Sequence, residues 1–366
     1  MLRAAWSEQR YTRPNPARYP WQWLWDSCFH AIVWAEVGDD RGIDELRRLL
    51  SFMDEDGFVP HVVYAPEPSP HAELWRRRDT SSITQPPMHA HALADLARRG
   101  VDVPQELVER SARALWFLLG RRARVDDLVG LCHPWESGAD DSPRWDHWFG
   151  LPRDPQRAYD LKGALVESIE RSAAQAPVGN PDFRVASVSF NALVAFNAYE
   201  LASLSGDDRL AREADALVHA LDGRWDVDLR TWVDAGDGER SSGAVRTVDA
   251  LCGALVATAH AEEALRLTVD ENAYGGPCGP AGVHRDEATF SPRTYWRGST
   301  WPQLSYLLWV AARRRGLDEV AGDLRASTVR GALASGLAEH WDPDDGTPLG
   351  AVPQTWAGLA LVMARG

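Results

Sequence analysis

Cysteine is scarce in this chain of 366 residues, at four in all. Cys28, Cys132, Cys252 and Cys278 stand far apart with no Cys-x-x-Cys pair. That spacing argues against a disulfide frame or a cysteine zinc site and suits reduced thiols in a cytoplasmic protein. Long apolar runs are also missing: no stretch approaches the roughly 18 residues that a membrane span needs. The start, Met1 to Ser7, lacks the apolar core of a signal peptide. Basic runs are short, and 53 acidic residues outweigh 39 basic ones for a formal charge of -14. Nucleic acid is therefore not an expected partner, because phosphate binding needs a basic surface. No Ser/Gly-rich linker or break in composition divides the chain, so residues 1–366 read as one domain. No pattern requires a cofactor or a metal.

What the chain has in excess is tryptophan, 17 against 8 tyrosines and 9 phenylalanines. Indole faces serve both large aromatic cores and carbohydrate sites, and composition leaves both open. Period-two alternation is rare, whereas amphipathic helical stretches recur. The expected helices lie at about 25–37, 41–54, 83–99, 103–120, 157–175, 187–205, 208–222, 246–256, 258–270, 298–315, 317–338 and 353–365. Short turns such as Gly206-Asp207-Asp208 pair most of them into hairpins. The pattern is all-α, and six hairpins closed into an (α/α)6 barrel fit the count, as does an irregular bundle. Five connections are long and rich in Trp, Pro, Gly, Asp and His: about 11–26, 60–85, 133–155, 275–301 and 339–356. Such loops carry function when a rigid scaffold presents them together.

Each loop holds a group with chemical potential. Tyr19 to Ser27 puts Trp21, Trp23 and Trp25 directly before Asp26, a pairing that offers a sugar an indole face and a hydroxyl acceptor. A helix start capped by Asp26 or Ser27 is the alternative. In Thr84-Gln85-Pro86-Pro87 the prolines suit a first helical turn, and Gln85 could face a cavity. Residues 135–148 crowd Glu136, Asp140, Asp141 and Asp146 among Trp135, Trp145 and Trp148, with Arg144 and His147. Crowded carboxylates and desolvation raise the pKa of one of them, which keeps an acid protonated near neutral pH. In Tyr295 to Pro302, Trp296 and Trp301 are candidate cavity walls and Arg297 a tie for a neighbouring carboxylate. Glu339 precedes the turn His340-Trp341-Asp342-Pro343, and Gln354-Thr355-Trp356 follows. The Asp-rich turn lacks the ligand spacing of a calcium loop.

Together these blocks resemble glycoside hydrolase family 63, in particular its bacterial mannosylglycerate and glucosylglycerate hydrolases, and more loosely the trehalases. The resemblance runs nearly end to end and rests on Tyr19–Ser27, Thr84–Pro87, Trp135–Asp146, Tyr295–Pro302 and Glu339–Pro343, in that order. It implies an (α/α)6 barrel and an inverting, exo-acting α-glycosidase on a small α-glucoside or α-mannoside. Asp140 then matches the general acid and Glu339 the general base. Tyr19, Trp23, Trp25 and Asp26 match positions that hold the sugar at the cleavage point. Gln85, Trp135, Gly138, Trp296, Trp301, Gln354 and Trp356 match other cavity positions. Glu136 competes for the acid's role, but as a loop-orienting partner of Arg144 or Arg297 it fits better.

Three departures stand out. Asp141 replaces the usual Asn after the acid, and Ser299 a common Pro. The stretch from Asp146 to Phe183 is short where those enzymes grip the glycerate carboxylate, leaving Arg153, Arg157, Tyr159 and Lys162 as substitutes. The alternatives are a hydrolase of trehalose or another small glycoside, a non-catalytic sugar-binding barrel, and a His-dependent epimerase or lyase using His30, His61, His89, His91, His147 or His340.

Overall fold

The computed structural model describes residues 1–150, 154–236 and 244–366. Its main helices are α1 (Leu24–Glu36), α2 (Arg41–Ser51), α3 (His89–Arg98), α4 (Gln105–Arg121), α5 (Pro155–Leu165) and α6 (Val188–Ser205). They continue with α7 (Asp208–Asp222), α8 (Ala261–Leu267), α9 (Pro302–Arg314), α10 (Asp318–Ala334) and α11 (Leu359–Arg365), plus 3₁₀ segments at Ala250–Leu255 and Thr355–Gly358.

Burial sorts these helices into two rings. In α1 every residue from Leu24 to Trp34 is buried, and in α9 every residue from Pro302 to Ala312. Helices that are apolar all round belong inside. By contrast α7 buries one stripe, Leu210, Ala214, Leu217, Val218 and Leu221, as a surface helix does. The inner elements close on themselves: α1 packs on α3, α3 on α6, α6 on Ala250–Leu255, that segment on α9, α9 on α11, and α11 on α1. Outside them α2 covers α1, α4 covers α3 and α6, and α7 covers α6. Likewise α8 covers Ala250–Leu255 and α9, and α10 covers α9 and α11. The fold is an (α/α)6 barrel. No long helix among the described residues fills the sixth outer position, where Leu2, Val33, Val329, Leu333, Ala357 and Leu361 line an apolar groove.

Four of the five long loops lead from an outer helix toward the N-terminus of an inner element, and the first leads directly into the N-terminus of α1, so all five open at one end of the barrel. Small ribbons stitch them together. Gln22 and Trp23 pair with Val63 and Val62, joining the first loop to the second. A bridge from Thr300 to Trp341 joins the fourth loop to the fifth.

The structure departs from the sequence reading in three places. The chain over Thr84–Pro87 is not helical, and α3 begins at His89, so the prolines precede the helix rather than open it. Trp23, not Asp26 or Ser27, caps α1, and Asp26 sits in its first turn. The expected helix 157–175 ends at Leu165 and lies outside the rings, packed on the short helix Asp146–Phe149. Most of its side chains are exposed, with Ala158 and Lys162 buried, a stripe too thin to join either ring.

Candidate active site

A cavity of about 490 Å³ opens at the loop end, and all five loops contribute to it. The first supplies Pro14, Tyr19, Trp23, Trp25 and Asp26, the second Gln85, and the third Gly138 and Asp140. Tyr295 and Trp296 come from the fourth, and Glu339, Gln354 and Trp356 from the fifth. A second cavity of about 900 Å³ adjoins it, sharing Trp23, Gln85, Asp140 and Tyr295 and adding Trp21, Tyr64, Trp75, Trp135, Asp141 and Tyr159. Asp140 thus stands at the junction of an inner and an outer chamber.

The two carboxyls of the inner chamber are held differently. Burial pushes the Asp140 carboxyl up to about 7, with Asp141 and Glu339 adding to the rise and Lys162 opposing it. Burial also raises Glu339, but a main-chain donor, Tyr19 and Arg18 pull it back. The Ala351 N–H donates to Glu339 Oε2 at 2.8 Å, and the Tyr19 hydroxyl lies 3.1 and 3.2 Å from its two oxygens. Hydrogen bonds to the charged form favour that form. The setting of Glu339 is therefore deeply buried, and its polarity comes from these donors rather than from solvent. Asp26 is also raised to about 7, by burial first, with His30 opposing.

Gly138 explains how the loop bearing Asp140 lies against the floor of the chamber. Its φ is +77°, and a Cβ there would come within 2.6 Å of the Trp25 ring. Three polar atoms of the lining, Trp23 Nε1, Trp296 Nε1 and Gln354 Oε1, are buried with no hydrogen-bond partner. Buried groups of this kind are costly unless something pairs with them. The Gln85 amide is partly used, its Oε1 accepting from the Trp25 N–H at 3.4 Å.

A family profile described as "Mannosylglycerate hydrolase MGH1-like glycoside hydrolase domain" matches residues 19–357. The chain belongs to this glycoside hydrolase family. It is 30% identical to a mannosylglycerate hydrolase of Rubrobacter radiotolerans, over 96% of this chain and 92% of that one. It is also 30% identical to a glucosylglycerate hydrolase of Mycolicibacterium hassiacum, over 96% and 93%. The crystal structure of a family 63 mannosylglycerate hydrolase from Thermus thermophilus, in complex with Tris and D-glycerate, superposes with a TM-score of 0.87. That match covers 100% of this chain and 98% of the other at 24% identity and shows the shared fold.

Within this family frame, most residues singled out from the sequence reach the two chambers. Tyr19, Trp23, Trp25, Asp26, Gln85, Gly138, Asp140, Trp296, Glu339, Gln354 and Trp356 line the inner one, and Trp135 the outer. Trp301 does not line either. It stacks behind Trp296, ring centroids 3.8 Å apart, and against His340 on its other side. Trp145, Trp148 and Trp341 likewise line neither chamber. The Trp145 N–H donates to the Ala139 carbonyl and the Trp341 N–H to that of Cys278, so these indoles form the loops' own packing.

Glu136 is withdrawn from the chemistry by a different partner than expected. Arg144 pairs with Asp234 and Asp249, and Arg297 with Asp146. Arg122 holds Glu136 instead, through bonds of 2.6 and 2.9 Å. The N–H groups of Cys132 and Thr84 fill the remaining lone pairs. The Asp342–Asp345 turn is bound by guanidinium groups, Arg293 on Asp342 and Asp345, and Arg285 on Asp344.

The sequence reading passed over Tyr295, Trp75 and Pro14. Tyr295 opens a block that was recognised, but neighbouring tryptophans drew the attention. Trp75 comes from a short helix, Ala72–Trp75, that no periodicity marks. Among the four substitutes for a glycerate grip, Arg153 lies outside the described residues. Tyr159 lines the outer chamber, Arg157 is exposed, and Lys162 is turned toward the loop bearing Asp140.

Proposed function

We propose that the protein is an inverting, exo-acting hydrolase of a small α-glucoside or α-mannoside, with Asp140 as general acid and Glu339 as general base. One observation carries this reading: two carboxyls with different partners, Asp140 beside Asp141 and Glu339 held by Tyr19 and a main-chain N–H, face a single aromatic chamber. Asp140, at about 7, keeps a proton to give near neutral pH. Glu339 accepts from Tyr19 and Ala351, which favours its carboxylate. Inversion needs one carboxyl to protonate the leaving oxygen and the other to activate water on the opposite face of the sugar.

The sugar sits in the inner chamber, its C–H faces against Trp23, Trp25, Trp296 and Trp356. The unpaired indole N–H groups and the Gln354 carbonyl meet its hydroxyls, and Asp26 serves as an acceptor at depth. The glycosidic oxygen faces Asp140 at the junction, and the aglycone occupies the outer chamber. Glycerate is the favoured aglycone, as the names of the relatives suggest. A second sugar ring, as in trehalose, is the other reading, favoured by the Trp21, Trp75 and Trp135 walls.

The test is turnover of glucosylglycerate, mannosylglycerate, trehalose and kojibiose by the wild type, Asp140→Asn and Glu339→Gln. We expect turnover of at least one substrate and a loss of about 100-fold or more in each variant, with sugar binding retained. Equal behaviour of all three proteins would point to a binding barrel and overturn the proposal.

A further inference from the structure

Lys162 is the sole lysine in the sequence; every other basic side chain is arginine. Its side chain is 3% exposed, although α5 around it mostly faces solvent. The ammonium group donates to the Asp140 carbonyl at 2.7 Å and to Asp141 Oδ1 at 2.5 Å, and stands 5.5 Å from the Phe149 ring centroid. The main chain of the same residue is tied as well. The Lys162 carbonyl accepts from His133 Nε2 at 2.8 Å, while His133 Nδ1 accepts from the Trp135 N–H. One residue of α5 thus bonds to both flanks of the turn that presents Asp140.

Asp141 gives this arrangement its point. It brings a second carboxylate beside the acid, directly next to it in the chain. A buried ammonium group is costly unless paired. Here it meets the two acceptors that the acid's loop offers, one of them charged.

We propose that Lys162 is a positioning residue for the general acid: its ammonium group locks the Asp140 main chain and offsets part of the charge that Asp141 brings beside it. The proposal rests on Asp140 being the acid of the reaction above. Facing Asp140 are Asp141 from its own loop, Lys162 from α5, Tyr19, Tyr295 and Glu339 from the other loops, and His61, Tyr64, His71 and Tyr159 across the outer chamber. His61 is held neutral by burial, which lowers it to about 3. Asp26, the other carboxyl near 7, responds to His30, Glu339 and Glu45 rather than to Asp141 or Lys162.

The acid works protonated, so kcat/KM falls as pH rises through its pKa. Lys162→Met should move this alkaline limb to higher pH and Asp141→Asn to lower pH, each by about half a unit or more. The double variant should return toward the wild-type limb. In Lys162→Met we expect kcat to fall about tenfold with KM little changed, and Lys162→Arg to recover part of it. A merely structural lysine would lower the folded fraction, read by thermal midpoint, and leave the limb in place. Limbs that stay put, or move the same way in both single variants, overturn the proposal. If Lys162→Met does not fold, Asp141→Asn and Lys162→Arg carry the test. Asp140→Asn is the control: full turnover there removes the acid assignment itself, whereas a dead Asp140→Asn with unmoved limbs removes only the role of Lys162.

Discussion

At the scale of single residues, two contacts hold the chemistry in register. Gly138 lies against Trp25 in a left-handed conformation, so Gly138→Ala meets both a steric and a conformational penalty. We expect kcat/KM to drop about tenfold or more with the fold retained, checked by steady-state kinetics beside a thermal melt. Tyr19 is the second contact. Its hydroxyl favours the carboxylate form of Glu339, the form that would activate water in the proposed mechanism. Tyr19→Phe removes that donor, so the Glu339 pKa rises and the acidic limb of kcat/KM should move up by about one unit. An unmoved acidic limb would separate Tyr19 from the base. These positions were legible because Tyr19, Gly138, Asp140 and Glu339 sit in contiguous blocks with distinctive neighbours. Trp301 was misread because a stacked pair looks, in sequence, like two cavity walls.

At the scale of elements, the outer ring reaches the site through Arg122, the residue that follows α4. Arg122 and Glu136 are both fully buried and close a network that includes the N–H groups of Thr84 and Cys132. Arg122→Met strands the Glu136 charge in the interior, which costs about 3–5 kcal/mol. Denaturant unfolding should show that loss, and the activity remaining at low temperature should fall because the turn bearing Asp140 loosens. An unchanged midpoint would mean that water or another cation reaches Glu136. Helix positions were largely legible, because apolar residues recur along them at helical spacing; the fold then buries α1, α6 and α9 nearly all round and α2 and α7 along one stripe. What periodicity could not reveal is membership. The segment of α5 reads as a barrel helix, yet it buries too little to pack in a ring. Ion-pair partners were also hidden, since Arg122, Arg144 and Arg297 are equally basic in sequence and only the fold decides which carboxylate each one meets.

At the scale of the whole molecule, the barrel stores free energy in its site. Asp140 and Asp26 both titrate near 7 in the folded protein, well above the ordinary carboxylate value of 3.8. The folded state therefore binds these protons more tightly than the unfolded chain. Their contribution to stability is full below about pH 4 and is lost as pH rises toward 7, on the order of 4 kcal/mol for each group. Asp140→Asn should consequently raise the thermal midpoint relative to wild type by more at pH 8 than at pH 5. A gain independent of pH would contradict the raised Asp140 value. In the proposed mechanism the same poised proton is the one the reaction uses. The most direct measurement of the central claim follows the anomer first released from the hydrolysed α-glycoside, by proton NMR before mutarotation. Two carboxyls acting on opposite faces predict the β-anomer, and release of the α-anomer would contradict the account.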